Sequence, residues 1–314
     1  MHTTLLDGTW SLTPADYKQV SLHTSYFDEN PALPCALPGD IHSALLKAGI
    51  IADPYWGTNE LDMQWVGTLD WILSRSFTVT EEQAHNTRPI LTLSMADTII
   101  TIRINGTVVG MTYNQFRRWR FDLTDHLKAG ENTIALHFTS AEAYAKAEAA
   151  KLPYPIPYSV YPVYAESRNL IRKTQCHFGW DWGPCILAMG VYEPITLDFC
   201  NEGLIESVHI ETRPAEDDRW TVTATVRYNA VSDQSLTVHL EIASTVQEGK
   251  VSVERGQNLL TFRLSVTNVQ RWWPAGHGKA VLYPLTVTIG EQTATRRIGF
   301  RTLEVKTIED AEGG

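Results

Sequence analysis

The sequence predicts an all-β protein of two consecutive sandwich domains, and three observations carry that expectation. Short apolar/polar alternation of period two recurs along most of the chain, Asn-Gly and other Gly turns break it into segments, and helical spacing is confined to two short stretches. A length of 314 residues accommodates two domains of ordinary size.

In the first half, residues 90–95, 98–104 and 107–111 read as strands. Ile100, Ile102 and Ile104 fall on one face, and Thr101, Arg103 and Asn105 on the other. Asn105-Gly106 between two such runs predicts a type I′ hairpin, because that turn needs two residues tolerant of positive φ. Asn105-Gly106-Thr107 also fits a glycosylation sequon, but turn chemistry explains it better. Residues 121–124 and 132–138 continue the series, with Gly130 turning between them.

Two helical pieces interrupt these strands. Asp40 is placed to cap a helix bearing Ile41, Ala44, Leu45 and Ala48, stopped by Gly49. Ser140 is placed to cap the alanine-rich run 141–151, after which Pro153, Pro155 and Pro157 impose an extended path. Residues 152–173 lack a clear period. Their wealth of tyrosine, including Tyr154, Tyr158, Tyr161 and Tyr164, predicts an ordered loop packed against something, since disordered segments are poor in aromatics.

The second half repeats the pattern. Residues 208–212, 220–228, 236–244, 249–255, 258–266, 283–289 and 293–298 read as strands, with Gly290-Glu291 turning the last pair. Seven short strands in about a hundred residues predict an immunoglobulin-like sandwich, without the inter-sheet cysteine pair of true immunoglobulin domains. The expected layout is a first domain over 1–200, a second over 201–304, and a polar linker over 305–314.

Composition removes several function classes. A net charge of −10 argues against tracking a phosphate backbone, so no nucleic-acid partner is expected. No apolar run approaches the ~20 residues of a membrane span. No basic-then-apolar leader opens the chain, so a cytoplasmic location is expected. Cys35, Cys176, Cys185 and Cys200 form no Cys-x-x-Cys or zinc spacing, which suits a reducing compartment. Phosphate loops, dinucleotide fingerprints, nucleophile elbows and metalloprotease helices are missing, so neither a cofactor nor a metal is expected.

The most distinctive segment spans residues 176–184, Cys-His-Phe-Gly-Trp-Asp-Trp-Gly-Pro. It has two readings of equal weight on chemistry alone. One is a tight turn with core tryptophans and an Asp capping local amides. The other is a sugar platform, where a ring face stacks on indole while a carboxylate accepts bonds from hydroxyls.

This segment and its surroundings resemble the N-terminal region of the β-mannosidases of glycoside hydrolase family 2, over nearly the whole chain. The likeness rests on Leu6–Trp10, on Leu37–His42, on Asp53–Glu60 followed by Trp65-Val66-Gly67, and on the hairpin from Ala96-Asp97-Thr98 to Asn105-Gly106. It continues through Arg168-Asn169 and Arg172–Gln175 into His177–Pro184, then Trp272–Gly278, Tyr283–Leu285 and Ile298–Thr302. The hairpin and the Ile298–Arg301 strand mark family 2 broadly, whereas Asp53–Glu60 and Gly179–Pro184 are specific to β-mannosidases. Leu73 and His277 stand where the family often carries Tyr.

The resemblance implies a jelly-roll, galactose-binding-like sandwich followed by an immunoglobulin-like one. It implies that the chain is the non-catalytic front of a retaining exo-β-mannosidase acting on terminal non-reducing β-D-mannose through a covalent glycosyl-enzyme. Trp180 and Asp181 would bind substrate as one wall of the −1 subsite, supported by His177, Gly179 and Trp182. The two catalytic Glu would lie in a following (β/α)8 barrel, the chain's own C-terminal partner. Such a barrel takes ~250 residues, and 14 remain after Phe300, so the isolated chain is expected to be inactive. In the family's barrel the acid/base Glu follows an Asn. The two such pairs here, Asn59-Glu60 and Asn201-Glu202, are chance, because neither follows a strand of a βα unit.

Two alternatives stand beside this reading: a free-standing carbohydrate-binding module, and the front of another family 2 enzyme, a β-galactosidase or β-glucuronidase. For the remaining notable residues the structural role leads. Trp272 and Trp273 are expected to pack at a domain interface, Arg301 to make an ion pair, Asp97 to serve the hairpin, and Gln175 to support the loop behind Trp180.

Overall fold

A computed structural model describes residues 2–157 and 166–307 of the chain. Tyr158, Tyr161 and Tyr164 of the expected packed loop, and most of the expected linker, lie outside the described residues. The chain divides into two compact units, His2–Phe199 and the residues from Cys200 onward.

The first unit is a jelly-roll sandwich. One sheet has six strands in the order Leu33–Leu37, Gly8–Pro14, Trp71–Val79, Gly130–Phe138, Ile100–Ile104 and Thr107–Thr112. The other has four, His2–Leu5, Thr196–Cys200, Arg88–Leu93 and Trp119–Asp122. Alternate residues enter one buried cluster: Leu12, Leu73, Ile102 and Leu136 from the first sheet, Leu91, Leu93 and Leu197 from the second. Each such side chain contributes about 1.5–3 kcal/mol when removed from water. Trp10 and Trp71 are fully buried, and their indole N–H groups donate to the carbonyls of Leu6 and Val66, at 2.9 and 3.0 Å.

The local signals act as expected. Asn105 and Gly106 both have positive φ, 50° and 84°. The Asn105 amide donates to Asn132 Oδ1 and the His126 carbonyl while its own oxygen accepts from the Thr133 N–H, so the side chain is committed to the turn. Asp40 caps the helix Ile41–Lys47 by accepting from the Ser43 N–H, and Gly49 ends it at φ 72°. Ser140 caps Ala141–Ala149, which stops two residues earlier than expected, ahead of the residue that Pro153 excludes from helical geometry.

The strand expected over 90–95 runs over Arg88–Leu93, and the one expected over 121–124 is displaced likewise. It runs over Trp119–Asp122 and ends where Asp122 turns to accept from the Thr124 N–H and hydroxyl. The arginines flanking Trp119 mask its inward position in the sequence. Five further short helices, Tyr17–Val20, Tyr26–Glu29, Asn59–Asp62, Trp65–Thr68 and Glu81–His85, lacked a periodic signal because each is about one turn long.

The second unit is a seven-stranded antiparallel sandwich. Gly203–Pro214, Trp220–Ala230 and Gly256–Val266 form one sheet; Thr245–Val253, Gln234–Ile242, Tyr283–Ile289 and Gln292–Ile298 form the other. Gly290 turns the last hairpin at φ 54°, and Glu202 Oε2 accepts from the Glu291 N–H beside it at 2.8 Å. Glu202 is thus occupied in holding a turn. Arg301 is not placed as expected: among the described residues it forms no ion pair, and its guanidinium lies 5.2 Å from the Trp272 ring centroid. Trp272 packs where a Cβ on Gly299 would reach it at 2.8 Å.

Candidate functional site

Residues 178–185 form a small antiparallel hairpin on the first unit. Phe178 pairs with Cys185 and Trp180 with Gly183, leaving Asp181 and Trp182 at the tip. Gly179 adopts φ 92°, a conformation costly for any residue with a Cβ. Phe178 and Cys185 are buried and fix the base.

The tip excludes a turn built on core tryptophans. Trp180 is 44% exposed and Trp182 83%, and Asp181 is exposed as well, so these are not core tryptophans around a capping Asp. The two indoles meet edge to face with centroids 5.9 Å apart. Tyr55, 77% exposed, belongs to the same apolar surface. Beneath it lies a cavity of about 810 Å³ whose walls include Trp180, Trp182, Tyr55, Pro54, Met63 and Ile186, with Asp40, His42, Gln115, His177 and Tyr192 among its polar members. Asp181 lines a second, smaller hollow of about 390 Å³ with Tyr55, Gly57 and Glu60. Such a surface can stack a ring face on indole and bond a hydroxyl through the carboxylate.

The segment Asp53–Glu60 braces this hairpin. Glu60 Oε2 accepts from the Cys185 N–H, and the Gln64 amide donates to both the Glu60 and Cys185 carbonyls, at 2.6 and 2.8 Å. Glu60 therefore has a structural task.

Under the cavity sits a polar cluster that local reading did not find. Asp97, expected to serve the hairpin, is instead fully buried in an ion pair with Lys173, Nζ to Oδ2 at 2.5 Å. Burial pushes the Asp97 carboxyl up, but the Lys173 charge and bonds from His177, Lys173 and Thr98 outweigh it and hold it below the usual range. Burial pulls the Lys173 ammonium down against the opposing pull of Asp97. His177 approaches the same carboxylate oxygen at 3.5 Å, and the Tyr192 hydroxyl at 3.4 Å. His177 thus stands behind the hairpin, facing the sandwich body. His42 is buried and its pKa falls to about 4, first through burial and then through Lys173 and His177, with Asp40 opposing. Gln175 spans the Arg168, Ile171 and Lys173 carbonyls. Only Lys173, a cation just ahead of the aromatic segment, carried any hint of this cluster in the sequence.

The comparisons with known proteins agree with this architecture. Residues 10–193 match the family model described as glycosyl hydrolase 2 galactose-binding domain-like, and residues 204–301 match that of glycosyl hydrolases family 2. Together the matches define the class, the paired β-sandwich domains of glycoside hydrolases. The chain belongs to glycosyl hydrolase family 2. It is 28% identical over 317 aligned positions to a β-mannosidase of Rattus norvegicus, across 95% of this chain and 36% of that protein. A probable β-mannosidase of Caenorhabditis elegans is 30% identical, across 86% of this chain and 32% of its own length. A crystal structure of a β-D-mannosidase from Dictyoglomus thermophilum superposes with a TM-score of 0.88 at 26% identity, covering 99% of this chain and 37% of that one. The chain thus spans about a third of the length of these relatives. Among the described residues, no helix is long and apolar enough to cross a membrane.

Proposed function

We propose that this chain is the non-catalytic N-terminal part of a retaining exo-β-mannosidase, and that its 178–185 hairpin supplies one wall of the pocket for the terminal mannose. The observation that carries the reading is the outward tip Trp180-Asp181-Trp182, which exposes two large indoles beside a carboxylate that has no partner among the described residues. Solvent exposure of so much apolar surface is costly unless something covers it.

In this reading Asp181 accepts hydrogen bonds from outer hydroxyls of the sugar and Trp180 offers an apolar wall. An epimer with a misplaced hydroxyl leaves those bonds unmade, which discriminates strongly between sugars. The double displacement needs a pair of carboxylates about 5–5.5 Å apart. Neither Glu60 nor Glu202 serves, since each holds a backbone N–H. In this reading the reacting pair lies elsewhere in the longer protein.

The test is Asp181→Ala in the longer protein, assayed on an aryl β-mannoside. A loss in kcat/KM of about a hundredfold is expected, the cost of unmade bonds to a charged group. Near-normal kcat/KM rejects the wall. The present chain alone should show no turnover. Sub-millimolar mannose binding by it, measured by titration calorimetry, would favour a free-standing binding module instead.

A further inference from the structure

We propose that Lys173 is a positioning residue, whose ammonium closes the neck of the 174–187 excursion that carries the Trp180–Asp181–Trp182 tip. Lys173 stands on the limb entering that excursion and Ala188 on the limb leaving it. The Lys173 ammonium donates to the Ala188 carbonyl and, at 2.5 Å, to Asp97 Oδ2. Asp97 belongs to the sandwich body, where it pairs with Gly190. One cation therefore joins three pieces of backbone at a single buried point.

Stability alone is a poor reason for such a pair. Taking both charges out of water offsets most of their attraction, and an apolar pair of similar volume commonly serves stability as well or better. What apolar packing cannot do is fix the register of two chain limbs, because it has no direction. Directed bonds from one ammonium to a carbonyl and a carboxylate do fix it. The carboxylate is itself held: the Tyr192 hydroxyl donates to Oδ2 and the Thr98 hydroxyl to Oδ1, with the His177 ring 3.5 Å from Oδ2. On the entering limb, Gln115 Oε1 accepts from the Thr174 N–H and hydroxyl and the Gln115 N–H donates to the Arg172 carbonyl, so the limb is anchored on both sides of Lys173. With the neck closed, tip placement depends on a short hairpin rather than on a fourteen-residue loop. Its effect on turnover rests on the proposed role of the tip in sugar binding; the clamp itself does not.

The experiment compares amide hydrogen exchange in the 314-residue chain and its variants by mass spectrometry. Lys173→Met leaves Asp97 buried without its countercharge and is the variant most exposed to misfolding. The pair Asp97→Asn with Lys173→Met removes both charges and keeps the volume. Tyr192→Phe keeps the ion pair and loses one bond to it. In the double variant, amides of residues 176–185 should exchange about tenfold faster while strand Gly130–Phe138 of the same unit keeps its protection, the mark of local opening. Tyr192→Phe should raise loop exchange about threefold. Unchanged loop exchange in every folded variant overturns the proposal, as does equal loss in the loop and the reference strand. In the longer protein, the double variant should lose about tenfold in kcat/KM on an aryl β-mannoside, in proportion to the loop opening. Faster loop exchange with unchanged kcat/KM would leave the clamp standing and remove the sugar-wall reading.

Discussion

Glu60 Oε2 accepts the backbone N–H of Cys185 at 3.1 Å, across 125 residues of sequence. The Gln64 amide takes the Cys185 carbonyl, so one residue of the hairpin base has both backbone groups bound to side chains. The segment that holds Glu60 and Gln64 and the 178–185 hairpin are thus two halves of one construction.

Removing that brace should loosen the hairpin without dismantling the sandwich. Glu60→Ala is expected to destabilise the first unit by about 1–2 kcal/mol, the worth of a half-exposed charge-assisted bond to a backbone donor. Glu60→Gln should recover most of it, because its carbonyl oxygen still accepts. Differential scanning calorimetry of the three proteins checks this.

Asp181→Ala should leave stability unchanged within about 0.5 kcal/mol, because the side chain is exposed and bonds to nothing among the described residues. A shift several times larger in chemical denaturation would assign Asp181 to the fold and remove it from substrate contact.

Buried His42 should make the chain acid-sensitive. Its pKa falls from 6.5 unfolded to about 4 folded, so between those values the unfolded chain binds a proton that the folded one refuses. Stability from this group is complete above pH 6.5 and declines as pH falls toward 4, by about 3 kcal/mol in all. Asp70 and Asp97, both held below the usual carboxylate range, extend the loss to lower pH. His42→Phe should flatten the profile between 6.5 and 4, read from urea unfolding at each pH. An unchanged slope would show that other groups control it.

Thiol reactivity should single out one position. Cys35 and Cys185 are buried, with burial pushing both thiols up to about 12, and Cys200 is buried too, whereas Cys176 is exposed. One equivalent of fast reaction with an aromatic disulfide reagent is expected in the native chain, abolished by Cys176→Ser. Two or more fast equivalents would contradict the packing around the hairpin base.

Gly190→Ala should be among the most damaging single-methyl additions. Its Cβ would meet the Gly39 carbonyl oxygen at 2.2 Å and Asp40 Cα at 2.7 Å, where two short strands close on each other. Backbone cannot yield as a side-chain end can, so a loss of about 3 kcal/mol or more is expected. A melting temperature near that of the parent chain would refute this close approach.

The sequence by itself determined the class and sequence of the elements. Period-two alternation, the Asn105-Gly106 turn, the Asp40 and Ser140 caps and the Gly290 turn all act within a few residues, so a linear string carries them intact. It also singled out the hairpin around Trp180 and Asp181, though not which way its rings face. Tertiary structure alone decided that the indoles point outward, that Glu60 belongs to Cys185, and that Asp97 belongs to Lys173, 76 positions away. The reason is that a buried charge declares its partner only through space. Desolvation and Coulomb attraction depend on distance and surroundings, and neither leaves a period in the sequence.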